Sequence, residues 1–476
     1  MLEITLNLYE DKKDPYYVQL YRHIRQEIKS GRIHAGTRLP AIRRLSEHLD
    51  ISRNTVEAAY LQLVSEGYVE SRPRSGLYVL KLEEDFSFLE KVTNQEPGRQ
   101  DAEEIVETKP AASPVLRCDF RNGTIDLSSF PFSVWNKISH QIMQEYTNSL
   151  SLYGDPQGEP GLRHQLAGYL RQSRGVRCSP DQIIVGAGTQ QMLLLLCQLL
   201  GTERQPVAVE DPGYNGARSV FSELNFPMVP IPLEEDGIDM EYLMKSEAKL
   251  VYVTPSHQFP FGMILPIHKR IKLLQWAAEH DRYIIEDDYD SEFRYQGRPI
   301  PALQGLDKSG RVIYMGTFSK SLLSGIRISY MVLPESLISK YKDKKAFLEP
   351  TASLIHMQTL ERFMEEGWWE KHLRRMKNVY KKKHAFLLSA ITRFFGERVK
   401  VIGQHSGLHI VIEVNDGRSE SELVRKAEEK GVKVYPTSPY WITFDTQLPP
   451  RLLLGFGGLS ENELEAGIRL LKEAWT

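Results

Sequence analysis

The sequence predicts an α/β domain on a mostly parallel sheet at residues 115–476, preceded by a small winged helical module at 14–82. Three observations predict it. From Val115 onward, short β-rich runs alternate with helical patterns. Residues 14–82 show helical periodicity followed by two β-like runs around a basic turn. Between them, 83–114 carries Pro97-Gly98, Pro110 and Pro114, little periodic apolar pattern and an acidic excess, the composition of a flexible linker. The length, 476 residues, excludes a single small module. With 41% hydrophobic residues and a formal net charge of −2, the chain has a globular composition. Its longest apolar run, Met192 to Cys197, falls far short of the roughly 20 residues that span a bilayer. Three separated cysteines without CxxC spacing predict neither a disulfide framework nor a zinc site. The first residues lack a secretory pattern, so a cytoplasmic protein is expected, with no metal and no membrane partner.

Near-neutrality hides asymmetry. Residues 15–80 hold ten Lys/Arg against six Asp/Glu, whereas 81–114 hold four against nine. In the first segment, Tyr17, Leu20, Tyr21, Ile24 and Ile28 recur at helical spacing and Gly31 ends the pattern, which predicts a first helix. The stretch Arg38 to Leu49 predicts a second, short helix. After Asp50 and Ile51, Ser52 is suited to cap a third, with Val56, Tyr60 and Leu63 inward and Arg53, Asn54, Glu57 and Ala58 outward. Residues 67–70 and 72–79 predict a two-stranded wing. Two helices about a three-residue turn, the second polar at its N-terminus, form the geometry that enters a DNA major groove.

Leu39-Pro40, Leu45-Ser46, Ser52-Arg53-Asn54-Thr55-Val56, Glu66-Gly67 and Gly76 resemble the GntR superfamily over some 65 residues. The resemblance implies a double-stranded DNA operator as partner, with contacts from Arg43, Arg44, Ser52, Arg53, Thr55 and Gly76. The basic wing turn, Arg72 and Arg74, lies on the same side. Ala41 stands where the family usually has serine, so a hydroxyl contact there is missing.

In the large domain the expected strands are 182–186, 207–210, 250–254, 283–287, 312–316 and 329–333. Open parallel sheets place ligands at the carboxyl ends of their strands. Those ends carry what pyridoxal 5'-phosphate needs: a lysine, an acid for the pyridine nitrogen, an aromatic face, and phosphate donors with an arginine. Lys320, in Thr317-Phe318-Ser319-Lys320, is the candidate Schiff-base and catalytic residue. Arg327, Ser319 and Thr317 are expected on the phosphate. Asp287 would keep the ring nitrogen protonated and Tyr289 would hydrogen-bond the ring hydroxyl. Gly188, Thr189 and Gln190 lead into an apolar helix whose N-terminal amides suit a phosphate. Tyr214, in Asp211-Pro212-Gly213-Tyr214, is placed to stack on the ring.

In this order the motifs resemble the fold type I aminotransferases from about Val115 to Thr476, joined by residues 153–158, 254–260 and 452–471. A GntR-like module fused to such a domain resembles the MocR/GabR-type subfamily. The resemblance implies a PLP-dependent transcriptional regulator, a homodimer in which Tyr153 reaches the partner's phosphate site, and His257 and Gln258 near the ring hydroxyl. It implies a small-molecule effector sensed by aldimine exchange at Lys320. Two departures shape that expectation: the family holds a carboxylate with an arginine after the final Gly-Phe segment, and its 4-aminobutyrate sensor with another just after the stacking tyrosine. Here those positions are Gly458 and Gly216. The expected effector is therefore a small amine, a modified amino acid or a vitamer. The alternative is a working aminotransferase with an accessory DNA-binding domain; a cofactor-free dimerising scaffold is a third reading.

Overall fold

The computed structural model describes residues 14–73, 75–81, 116–147, 149–201, 204–295, 300–444 and 448–476. The expected linker, 83–114, and Arg74 lie outside them. The chain divides into two compact units, Met1–Ala111 and Ala112–Thr476.

In the first unit, α1 (Tyr16–Lys29) buries Leu20, Tyr21, Ile24 and Ile28. Tyr17 belongs to the same spacing but is 42% exposed, so the buried stripe is one residue narrower than expected. The second helix, α2 (Ile42–Leu49), starts four residues later than its sequence pattern. Pro40 biases the residue before it toward extended backbone, and Leu39 N–H donates to Leu77 O at 2.9 Å, adding this segment to the wing. Asp50, in the left-handed region at φ 51°, ends α2. Ser52 then caps α3 (Arg53–Ser65) by accepting from Thr55 N–H. The buried face of α3, Val56, Ala59, Tyr60 and Leu63, meets α1 and Leu45 in one core. The wing is an antiparallel pair, β1 (Val69–Arg72) and β2 (Gly76–Val79), with Arg72 opposite Gly76.

The second unit begins with β3 (Cys118–Asp119). Its main sheet comprises β4 (Ile183–Gly186), β5 (Val207–Asp211), β6 (Met228–Glu234), β7 (Gly237–Ile238), β8 (Leu250–Val253), β9 (Tyr283–Asp288), β10 (Val312–Thr317) and β11 (Ser329–Val332). The order is β4-β11-β10-β9-β8-β5-β6-β7. Only β11 and β7 run antiparallel to their neighbours. Strand residues alternate between two cores: Ile184, Ile285, Ile313 and Met331 face one layer, while Ile183, Tyr314, Tyr330 and Val332 face the other. Burial on both faces explains why these strands read as unbroken apolar runs. A second, antiparallel sheet, ordered β12-β13-β16-β15, is made of β12 (Val399–Ile402), β13 (His409–Val414), β15 (Tyr435–Pro436) and β16 (Arg451–Gly455). It packs on the helices Trp368–Phe395 and Glu461–Ala474 through Leu387, Ile391, Leu464 and Ile468. The pair of β14 (Val432–Lys433) with β3 ties the start of the unit to this region.

All three cysteines are buried and unpaired. Among the described residues, no helix is long and apolar enough to cross a membrane.

Candidate functional site

Five parallel strands of the main sheet deliver their carboxyl ends to one edge, and a cleft of about 300 Å³ opens there. Thr189, Gln190, Tyr214, Asp287, Tyr289, Thr317, Ser319, Lys320 and Arg327 line it, nine of the twelve residues expected around a cofactor. Gly188 lies directly beneath. A Cβ at Gly188 would stand 2.1 Å from Arg327 Nη2, so only a glycine lets the guanidinium lie across this turn. Its φ of 94° is likewise in the region that favours glycine. Arg327, itself left-handed at φ 53°, closes the turn that leads into β11.

The amides open to an anion are fewer than the sequence pattern implied. Ala187 N–H donates to Thr351 Oγ1 at 3.1 Å and Gly188 N–H to Gly186 O at 3.2 Å. With those amides committed inside the turn, the first turn of the helix Thr189–Leu200 carries the donors that an anion can take. Ser319 sits opposite, its N–H held by Thr317 Oγ1 at 3.2 Å. Thr317 Oγ1 also accepts from Ser329 at 2.8 Å, so this hydroxyl orders the loop.

Lys320 follows that loop, its Nζ 3.4 Å from Asn122 Oδ1. Desolvation holds its ammonium below the ordinary lysine value, against the opposing charge of Asp290. The site therefore disfavours the charged form of this amine. Asp287 is 4% exposed; its Oδ2 accepts from Tyr252 Oη, whereas Oδ1, also buried, has no hydrogen-bond partner. Burial pushes this carboxyl up to about 7, with Tyr252 lowering it and Asp288 and Asp290 raising it. An orphaned buried acceptor facing a cleft calls for a donor from a ligand. Tyr214 lies across Gly216, where a Cβ would be 2.4 Å from the ring's Cζ. Its ring meets Phe259 edge-on at 6.1 Å.

Two expected residues stand elsewhere. Gln258 does not line the cleft: its Nε2 donates to Pro212 O at 2.9 Å and its Oε1 accepts from Phe261 N–H at 3.2 Å. The carboxamide ties its own loop to the one after β5, and the next residue, Phe259, lines the cleft instead. Tyr153 is 79% exposed and outside the cleft of its own chain. The sequence reading missed Asn122, Asn215, Thr254, Phe259 and Tyr440, which also line it. Asn122 precedes Thr189 by 67 residues and Tyr440 follows Arg327 by 113, and no local pattern marks either.

In the first unit, Ser52 and Arg53 occupy the exposed N-terminus of α3, with Thr55 Oγ1 2.8 Å from Ser52 Oγ. Arg43 pairs with Glu47 one turn on at 3.0 Å, and Arg44 is exposed beside it. Gly76, at φ 112°, lies under the Arg38 guanidinium: a Cβ there would be 3.0 Å from Nε. Arg38 therefore adds a cation to the wing, beyond the expected set.

The family described as aminotransferase class I and II matches residues 126–471, and that described as bacterial regulatory proteins, gntR family, matches 16–79. The uncharacterised HTH-type transcriptional regulator YdeL of Bacillus subtilis is 43% identical over 475 residues, covering 100% of both chains. The probable rhizopine catabolism regulatory protein MocR of Rhizobium meliloti is 36% identical, over 99% of this chain and 96% of its own. Among solved structures, kynurenine aminotransferase of Pyrococcus horikoshii, in complex with PMP, superposes with a TM-score of 0.69 at 27% identity. It covers 83% of this chain and 94% of its own.

Proposed function

The chain belongs to the MocR-type transcriptional regulators, a GntR-type helix-turn-helix fused to an aminotransferase class I and II domain, and from this we propose that it binds pyridoxal 5'-phosphate and senses a small amine through Lys320. The observation that carries the proposal is the convergence of Lys320, the orphaned Asp287 Oδ1 and the Arg327–Gly188 turn on one cleft. When bound, the cofactor supplies an electrophilic carbon for a primary amine and a ring that takes up electron density.

The residues divide that work. Arg327, Ser319 and the first turn at Thr189 and Gln190 would hold the phosphate. Asp287 would keep a proton on the ring nitrogen, which also answers its missing donor. Tyr214 would cover one ring face. Tyr289, whose hydroxyl is kept protonated by burial and by the charges of Asp290 and Asp287, would donate to the ring oxygen. Lys320, its ammonium disfavoured, is the amine that a ligand must displace.

The choice of effector follows from cations. Among the described residues lining the cleft, these are Lys320 and Arg327. Nearby, Arg218 donates to Tyr440 O at 2.9 Å and Pro439 O at 2.7 Å. A Cβ at Gly458 would be 2.8 Å from Thr124 Cβ, and Gly216 is pinned under Tyr214, so neither position has room for an arginine. A carboxylate would lack a guanidinium, which favours a small amine, modified amino acid or vitamer with a neutral polar end over 4-aminobutyrate or an ordinary α-amino acid. The DNA-binding module implies a double-stranded operator. Homodimerisation with Tyr153 at the partner's phosphate, and 83–114 as the connecting linker, complete the proposal.

The intact Lys320, Asp287 and Tyr289 set also favours a second reading, an aminotransferase with an accessory DNA-binding domain. The test is a panel of carboxylated and uncharged amines titrated into the cofactor-loaded protein on DNA. Uncharged amines should change the visible spectrum and the DNA affinity together, without product. Rapid spectral change with 4-aminobutyrate contradicts the effector class, and sustained 2-oxo acid formation supports the enzyme reading.

A further inference from the structure

Against Tyr289 lies a buried pair, His257 and Asp290, to which the residue roles proposed above assign nothing. His257 is 2% exposed and Asp290 1%. One nitrogen, His257 Nδ1, stands 2.9 and 3.0 Å from the two oxygens of Asp290 and 2.9 Å from Tyr289 Oη. The backbone presses on the pair from outside: a Cβ at Gly407 would be 2.0 Å from His257 Cε1 and 2.7 Å from Asp290 Oδ2. The ring therefore has little freedom to turn away.

An imidazole nitrogen carries either one hydrogen or one lone pair, so Nδ1 cannot at once donate to Asp290 and accept from Tyr289. Were it to accept from Tyr289, its lone pair would face a buried carboxylate at hydrogen-bond distance, a repulsive contact. Were it to carry the hydrogen, that hydrogen would go to the carboxylate in a charge-assisted bond. Asp290 thus selects the second state. The titratable and charged groups around the pair and Tyr289 are Asp287, Asp288, Glu210, Lys320 and His409. His409 is pushed down to about 3 by burial and by His257 itself, so it stays neutral beside the pair.

We propose that His257 and Asp290 are positioning residues for Tyr289: with Nδ1–H committed to the carboxylate, the phenol hydrogen is denied an inward acceptor and is directed into the cleft. The inference rests on the cofactor reading above. A buried histidine with a structural role alone would leave the phenol hydrogen unaffected.

The experiment is a pH titration of the visible band of the cofactor-loaded full chain. It compares wild type, Tyr289→Phe, two variants lacking the N–H (His257→Phe and His257→Ala), His257→Asn, which restores an N–H near Nδ1, and the His257→Phe/Tyr289→Phe double variant. Asp290 is left intact because its charge also bears on Lys320. The N–H-lacking variants free the Asp290 carboxylate, the leading charge on Tyr289, to act as an inward acceptor for the phenol. They should move the midpoint in the same direction as Tyr289→Phe, by about one pH unit, the scale of one hydrogen bond to a charged group. His257→Asn should stay near wild type, and the double variant should match Tyr289→Phe. A further shift on removing His257 from the Tyr289→Phe background overturns the proposal. So does an unmoved midpoint in both N–H-lacking variants while Tyr289→Phe shifts. A wild-type chain that shows no band at all refutes the cofactor reading, and the inference with it.

Discussion

Asp287→Asn should make the cofactor-free protein more stable at high pH while weakening the cofactor site. Burial raises the Asp287 carboxyl from an ordinary 3.8 to about 7. The folded state therefore holds the proton more tightly than the unfolded chain. Its stabilising effect is complete below about pH 4 and is lost as pH rises through about 7. Between about pH 5 and 8, linkage with these two values takes roughly 3 kcal/mol from wild type. Asparagine does not titrate, so the variant escapes that loss. It keeps an acceptor for Tyr252 but brings an N–H into the place of the unpartnered Oδ1, at a pH-independent cost of about 1–3 kcal/mol. Glu286 and Glu292 are also raised to about 7 by burial, but they are common to both proteins and cancel in the difference. Glu210, raised to about 7 by burial with a smaller contribution from Asp287, loses that contribution in the variant. All six tryptophans lie beyond residue 112, so denaturant unfolding followed by tryptophan fluorescence reports on the second unit within the intact chain. The stability difference should swing toward the variant by about 3 kcal/mol from about pH 5 to 8, while cofactor affinity falls at least about tenfold. A difference that stays flat with pH refutes the buried-acid argument, and undiminished cofactor affinity refutes the role given to Asp287.

Gly188→Ala should weaken cofactor binding by roughly tenfold or more, because the new methyl would sit 2.1 Å from Arg327 Nη2 on backbone at φ 94°. Spectral titration with the cofactor measures it, and an unchanged affinity would remove Arg327 from the phosphate site. Ser52→Ala should destabilise the first unit by about 1 kcal/mol through loss of the α3 cap. Ser52→Asp should keep the cap yet abolish operator binding by placing a negative charge at the helix end expected to face DNA phosphates; melting and mobility-shift assays separate the two. Arg53→Ala should lower the salt dependence of DNA binding by about one phosphate contact, and an unaltered slope would place Arg53 away from the DNA.

Most of the fold was legible because its signals are local. The six expected strands of the main sheet appear within one residue of their sequence bounds, since burial on both faces leaves short apolar runs between turns. Ser52 was readable as a cap because one hydroxyl at one position does that work. The start of α2 was not, because Leu39 is drawn into the wing by a partner 38 residues away, Leu77. At the site, residues on strand ends converge as the topology requires, whereas Gln258 and Phe259 exchange places because the Gln258 carboxamide is held by Pro212 of a neighbouring loop and by Phe261 of its own. The His257–Asp290 pair lay in plain view in the sequence, but nothing in the spacing says that both groups meet Tyr289 at one nitrogen.

The most direct test of the central claim is the visible spectrum of the purified protein with added pyridoxal 5'-phosphate, wild type beside Lys320→Ala, each carried on to a mobility shift with DNA upstream of its own gene. The account predicts a band that requires Lys320, with specific DNA binding in both proteins and a DNA affinity that responds to amines only in wild type. Intact DNA binding without any such band in wild type would contradict it and leave the second unit as a scaffold for the DNA-binding module.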